Sequence, residues 1–206
     1  MSDWAMENNL KLNLCKSTEI ILYRKGTQPA LPPCTPGLKR LEAVKLLGVT
    51  FDQNLTFHQH AQNMLAKGAQ SLFGLKVLKT HGLGHPFLSR VTRCSLRNRV
   101  LYASPAWAGF LSDDDRQRIS GLGRKAVRWG LYRLIDPTID DVILQSDTRL
   151  FRSIIRNPNH VLRQLMPRAR PKLHHLRRRA HQFKLTAMSL WAKRNFINRM
   201  HFHDSF

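Results

Sequence analysis

Residues 43–80 read AVKLLGVTFDQNLTFHQHAQNMLAKGAQSLFGLKVLKT, and the fold turns on how this stretch divides. The apolar, β-branched run from Val44 to Phe51 predicts a strand, with Gly48 marking a bulge or a close backbone approach. Asp52, Gln53 and Asn54 supply turn chemistry, and Thr56 can N-cap a helix beginning just after it. From Phe57 onward Ala61, Leu65, Ala69, Leu72, Phe73 and Leu75 keep the three-to-four spacing of one helix face. Gln59, Gln62, Lys67, Gln70 and Lys76 fall on the polar side. A strand therefore leads into an amphipathic helix of about six turns, with Gly82 as its stop signal.

Upstream, Ser2 is expected to cap a short helix that carries Trp4 and Ala5 inward and unravels near Asn8 and Asn9. Residues 11–14 then run extended, and EIILY at 19–23 reads as a strand. Pro29, Pro32, Pro33 and Pro36 keep residues 26–37 out of any sheet interior. Residues 19–23 and 44–51 are thus expected to pair as a long-looped antiparallel hairpin. One helix and two strands leave open sheet edges and too few strands for a stable sheet, so the chain reads as if its first half were missing.

Downstream, Pro86 opens a second helix with Phe87, Leu88, Val91, Cys94, Leu101 and Tyr102 on one side. Arg90, Arg93, Arg97 and Arg99 dominate the other, and Pro105 ends it. Ser112 caps a third helix with Asp113, Asp114 and Asp115 in its first turn and Arg124, Lys125 and Arg128 near its end, a polarity that suits the helix dipole. Thr138 is expected to cap a fourth helix and Asp147 a fifth that runs to Ile155. From Pro167 the pattern dissolves into a basic stretch with Asp204 its only acid, read as a mobile tail with a short helix around 195–200.

Composition narrows the partners. The 34 Lys+Arg against 13 Asp+Glu leave a net charge of +21 and a pI near 11.2, which predicts a polyanionic partner, nucleic acid before membrane. No long apolar run, lipidation signal or signal peptide is present. Cys15, Cys34 and Cys94 are too scattered for a disulfide framework or a zinc knuckle. The expected setting is intracellular, nucleus or cytoplasm, and not secretory.

Several blocks stand in a familiar order: WAMENNLKLNLCKSTEIIL, VKLLGVTFDQNLTFHQH, LRNRVLYASPAWAGFLSDDDRQRI, NPNHVL and RNFINRMHFHDSF. Together they resemble the C-terminal part of a reverse transcriptase from a non-LTR (LINE-type) retrotransposon, across essentially the whole chain. The resemblance implies a palm remnant with a primer-grip hairpin at 1–56, a thumb-like helical domain at 57–166 and a basic tail at 167–206. The expected fold is therefore α+β, mostly α: a small antiparallel hairpin, then a helical thumb and a partly disordered tail. By the same resemblance Lys16 matches the palm lysine that protonates departing pyrophosphate in a complete enzyme. Lys45, Leu46, Leu47 and Gly48 match the primer grip, where glycine permits close backbone approach. Lys67, Lys76, Arg90, Arg93, Arg97 and Arg99, with Tyr102 and Trp107 interleaved, and Arg177, Arg178 and Arg179 in the tail, are the expected contacts to an RNA or DNA template–primer.

The family's metal-binding aspartates are expected upstream of Trp4. The chain is thus expected to bind no metal and to polymerise nothing by itself, Mg²⁺ and an upstream palm belonging to the complete enzyme. Ile139-Asp140-Asp141 and Phe110 before Asp113-Asp114 imitate the catalytic turn in the wrong order, and both read as helix N-terminal acids. His58, His60, His81, His85, His174, His175, His201 and His203 lack partners at metal-ligand spacing. Two other readings remain open. One is a stand-alone nucleic-acid-binding, chaperone-like protein that reuses the thumb. The other comes from residues 47–82, which resemble the short N-terminal segment of AlkB-type tRNA dioxygenase–methyltransferases, although the iron-binding His-x-Asp…His pattern and a methyl-donor fold do not appear.

Overall fold

Leu47 and Gly48 both adopt positive φ, 46° and 85°. Two successive left-handed residues make the tight two-residue hairpin turn whose twist matches that of its flanking strands. In the computed structural model, which describes residues 2–24, 26, 30–133, 136–167, 183 and 188–203, the expected single strand over 44–51 is therefore itself a hairpin. β3 (Ala43–Leu46) pairs antiparallel with β4 (Val49–Asp52), Leu46 facing Val49 and Ala43 facing Asp52. The bulge expected at Gly48 is replaced by a reversal.

The partner expected for β3–β4 is displaced as well. The strand at 19–23 shortens to β1 (Thr18–Glu19), which pairs in parallel with β2 (Lys39–Arg40). One side-chain clasp explains the choice. The Glu19 carboxylate accepts from Arg40 Nε at 2.5 Å and from the Thr35 hydroxyl, while Arg40 also donates to the carbonyls of Pro32 and Pro33. The hydrogen bonds from the Thr35 hydroxyl, first, and from Arg40 lower the Glu19 carboxyl below its ordinary pKa. The proline loop is thus tied back onto β1. Residues 20–38 are long enough for the crossover that a parallel pair requires.

The chain forms two compact units, Met1–His60 and Ala61–Phe206. The first holds α1 (Ser2–Glu7), the 3₁₀ turn Leu14–Lys16 and the two small sheets. Asp52 closes its last turn, its carboxylate accepting from the backbone N–H groups of Asn54, Thr56 and Phe57 and from the Thr56 hydroxyl. The N-cap expected of Thr56 is thus shared with Asp52. Within this unit the Thr50 amide donates to His60 Nδ1 at 3.4 Å. Burial, with a smaller contribution from the Lys45 charge, moves His60 below its ordinary pKa.

α2 (His58–Thr80) runs on through the second unit and ends as expected. Gly82 has φ 87°, and its N–H and that of Leu83 return to the carbonyls of Lys79 and Leu78, the Schellman arrangement. The buried stripe of α2 is Ala61, Met64, Gly68, Leu72 and Leu75, while Phe73 stands 62% exposed. Gly68 allows close approach: a Cβ there would lie 2.8 Å from Leu122. Leu72 and Leu75 share a core with Leu88, Leu96 and Leu122.

The second helix is α3 (His85–Thr92), a turn of π-helix at Arg93–Arg97 and α4 (Asn98–Leu101). The π turn changes its inner face. Leu88, Thr92, Leu96 and Val100 are buried, whereas Phe87, Val91, Cys94 and Tyr102, expected inside, are exposed. A strict four-residue step drifts around an α-helix, and the wider π turn absorbs the drift. Ala103, at φ 51°, breaks the run before α5 (Ser104–Trp107). Trp107, expected among the nucleic-acid contacts, is instead fully buried, its indole N–H donating to the Tyr102 carbonyl at 2.9 Å.

α6 (Asp113–Arg128) starts at Ser112, whose Oγ accepts from the Asp115 amide. The expected fourth and fifth helices are one, α7 (Ile139–Arg156), begun by a Thr138–Asp141 capping box. Asp147 caps nothing: it is buried in mid-helix and pairs with Arg199 Nη2 at 2.6 Å. α8 (Phe196–His203) realises the short helix expected near 195–200. It is anchored in a second core where Phe196, Ile197 and Met200 meet Phe151 and Ile154 of α7. The mobile-tail expectation otherwise falls mostly outside the described residues. The fold is α+β and mostly α, and no described helix is long and apolar enough to cross a membrane.

Candidate nucleic-acid interface

In the first unit the primer-grip match occupies the end of the β3–β4 hairpin. Lys45, Leu46, Leu47 and Gly48 lie at or beside its turn, with Leu47 exposed by 83%. Lys16 is exposed too, at the end of the 3₁₀ turn, where its amide donates to Asn13 Oδ1. The unit thus presents an apolar hairpin tip with one flanking lysine and, elsewhere, a separate surface lysine.

In the second unit the expected basic residues are sorted by their packing. Lys67 and Lys76 are both exposed but lie about half a helical turn out of phase on α2. Arg90 is exposed on α3, and Arg93 forms an ion pair with Asp136. Arg97 is half-buried against a cavity of about 360 Å³ walled by Leu96, Val100, Val127, Tyr132 and Ile139. Arg99 turns toward α2, where Nη2 lies 3.4 Å from Ser71 Oγ. The four arginines do not make one face. Arg177, Arg178 and Arg179 lie outside the described residues.

A different basic cluster forms where α2 and α6 end side by side. The Lys76 and Lys125 ammonium groups lie 4.9 Å and 4.6 Å from the centre of the Trp129 ring. Lys79 Nζ donates to the Trp129 carbonyl at 2.7 Å, and Arg128 belongs to the last turn of α6. The ring's negative face and the two helix C-termini offset the crowding of these cations. Described ion pairs are Arg40–Glu19, Arg93–Asp136, Arg118–Asp114 and Arg199–Asp147. None of these includes a member of this cluster. Sequence reading picked out Lys76 but not Lys79 or Trp129; a Lys-x-x-Lys step before a helix-stopping glycine was the available signal.

The described residues do not form a site for the Mg²⁺ that a complete enzyme of the resembled kind would hold. Asp141 is occupied by the Thr138 capping box, Asp140 accepts from Ser120 Oγ at 2.7 Å, and Asp115 engages Ser112. Among the described residues no three His, Cys, Asp or Glu side chains gather as a metal site. Comparison with protein-family models, curated proteins and solved structures gave no match.

Proposed function

We propose that the chain binds nucleic acid through its phosphate backbone, as the template–primer-holding part of a LINE-type reverse transcriptase. The observation that carries this reading is the α2–α6 cluster, in which Lys76, Lys79 and Lys125 are gathered around Trp129 with no carboxylate paired to them among the described ion pairs. A net charge of +21 adds attraction at longer range, and the exposed hairpin tip at Lys45–Gly48 supplies the apolar contact that a primer grip calls for. Phosphate contacts of this kind position a strand without reading its sequence. A stand-alone binder would use the same cluster, so this part of the proposal does not depend on a neighbouring palm.

The binding test is a K76Q/K125Q variant titrated against an RNA–DNA hybrid at several salt concentrations. Loss of two phosphate contacts is expected to lower the log–log salt slope by about 2. An R118Q variant, whose arginine is tied to Asp114, is expected to keep the wild-type slope. A K76Q/K125Q slope equal to wild type would contradict the assignment.

In this reading the chain binds without polymerising. It is expected to extend no primer with Mg²⁺ or Mn²⁺, and extension surviving controls for contaminating polymerase would overturn that. Fused to an upstream palm, Lys16→Ala should lower the chemical step more than binding.

A further inference from the structure

We infer that the cavity between α4, α6 and the start of α7 binds a small amphipathic anion, an apolar body ending in a carboxylate or phosphate. Its volume of about 360 Å³ falls at the lower end of the range for small-molecule pockets. Each of the three helices supplies an apolar wall: Val100 from α4, Val127 from α6, Ile139 and Val142 from α7. Helix α7 packs against both α4 and α6. Val127 and Ile139 also pack on the core that holds Leu96 and Tyr132, two further lining residues. The walls are thus fixed against one another, and the cavity is formed before any ligand arrives.

The polar lining selects the sign of the ligand's charge. Arg97, half-buried, and Arg124, exposed, both line the cavity, and neither takes part in a described ion pair. The two lining carboxylates are already engaged. Asp136 pairs with Arg93 and accepts from the Arg133 amide, while Asp140 is exposed and accepts from Ser120 Oγ at 2.7 Å. With Arg93 counted beside its partner, three arginines face two aspartates, which leaves one net positive charge. Arginine's planar fork matches a carboxylate or a phosphate two oxygens at a time. The aliphatic walls suit an alkyl body, whose burial supplies the rest of the affinity. Tyr132 is the one aromatic residue of the described lining, so a nucleobase would find no pair of rings to stack between.

This cavity shares no residue with the α2–α6 cluster, and the inference stands whether or not that cluster binds nucleic acid. The test titrates the full chain with decanoate, decyl phosphate, decan-1-ol and adenosine monophosphate, followed by methyl NMR. Decanoate or decyl phosphate should shift the methyl signals of Val100, Val127 and Ile139, and the tighter of the two identifies the head group. Decan-1-ol should bind about tenfold more weakly than that anion, because it forgoes the charge-assisted hydrogen bonds. R97Q/R124Q should weaken the anion by about tenfold or more and leave the alcohol nearly unchanged. K76Q/K125Q removes as many positive charges away from the cavity and should keep the wild-type affinity for the anion. Val127→Phe, which fills the cavity, should weaken anion and alcohol alike. Absence of the methyl shifts with both anions would overturn the site. Equal losses from R97Q/R124Q and K76Q/K125Q would also overturn it, in favour of general attraction by a basic surface. Alcohol binding as tight as the anions', or adenosine monophosphate binding tighter than either, would contradict the ligand class.

Discussion

Leu47 holds a left-handed conformation with its side chain in solvent. For an L-residue other than Gly, Asn or Asp that geometry costs about 1 kcal/mol, and asparagine before glycine suits the same turn better. Leu47→Asn is therefore expected to stabilise the hairpin by roughly 0.5–1 kcal/mol, measured by denaturant unfolding. Destabilisation would mean that the leucine side chain itself holds the turn.

Asp147 is the contrasting residue. Burial pushes its carboxyl above the ordinary aspartate range, and the Arg199 charge beside it offsets only part of that rise. Because the folded pKa exceeds the unfolded one, this group favours folding most at pH below the unfolded value. That contribution is lost as pH rises through the raised value. Removing Arg199 leaves a buried carboxylate without its partner, a change worth about 3–5 kcal/mol. Arg199→Met is thus expected to be strongly destabilised near neutral pH and less so as acid protonates Asp147. A deficit of constant size across that range would assign the loss to packing alone.

At the scale of elements, helices with chemical end signals were legible. Ser112 before three aspartates, Thr138 before Asp140 and Asp141, and Gly82 after α2 each mark a boundary the structure keeps. Three features lacked such marks. The Leu47-Gly48 turn has only one residue that advertises positive φ. The π turn at Arg93–Arg97 has no local composition, and only the strict four-residue spacing of Leu88, Thr92, Leu96 and Val100 betrays it. Asp147 looks like a cap because its partner, Arg199, is distant in sequence. The α2–α6 cluster needed the tertiary meeting of two helix ends, which periodicity alone cannot supply.

Gly109 tests how tightly α8 is seated. A Cβ on it would strike the Arg199 guanidinium and the Arg194 carbonyl, the latter being backbone that cannot swing aside. Gly109→Ala should cost about 1–3 kcal/mol and speed hydrogen exchange in α8 before the rest of the second unit. Unchanged α8 protection would show that the approach is not tight.

For the whole molecule, charge and fold are separate arguments. A net charge of +21 does not determine an α+β fold; it bears on the sign of the charge a partner would carry and on how salt would screen the approach. Within the second unit, packing decides which cations remain available. Arg93 and Arg199 are taken up by Asp136 and Asp147, while the α2–α6 cluster remains outside the described ion pairs. The most direct measurement is the affinity of the full chain for an RNA–DNA hybrid, titrated across salt concentration. The account predicts a straight log–log plot with a steep negative slope, about 0.9 for each phosphate neutralised, and the same slope for unrelated sequences. Affinity insensitive to salt, or no binding at low salt, would contradict it.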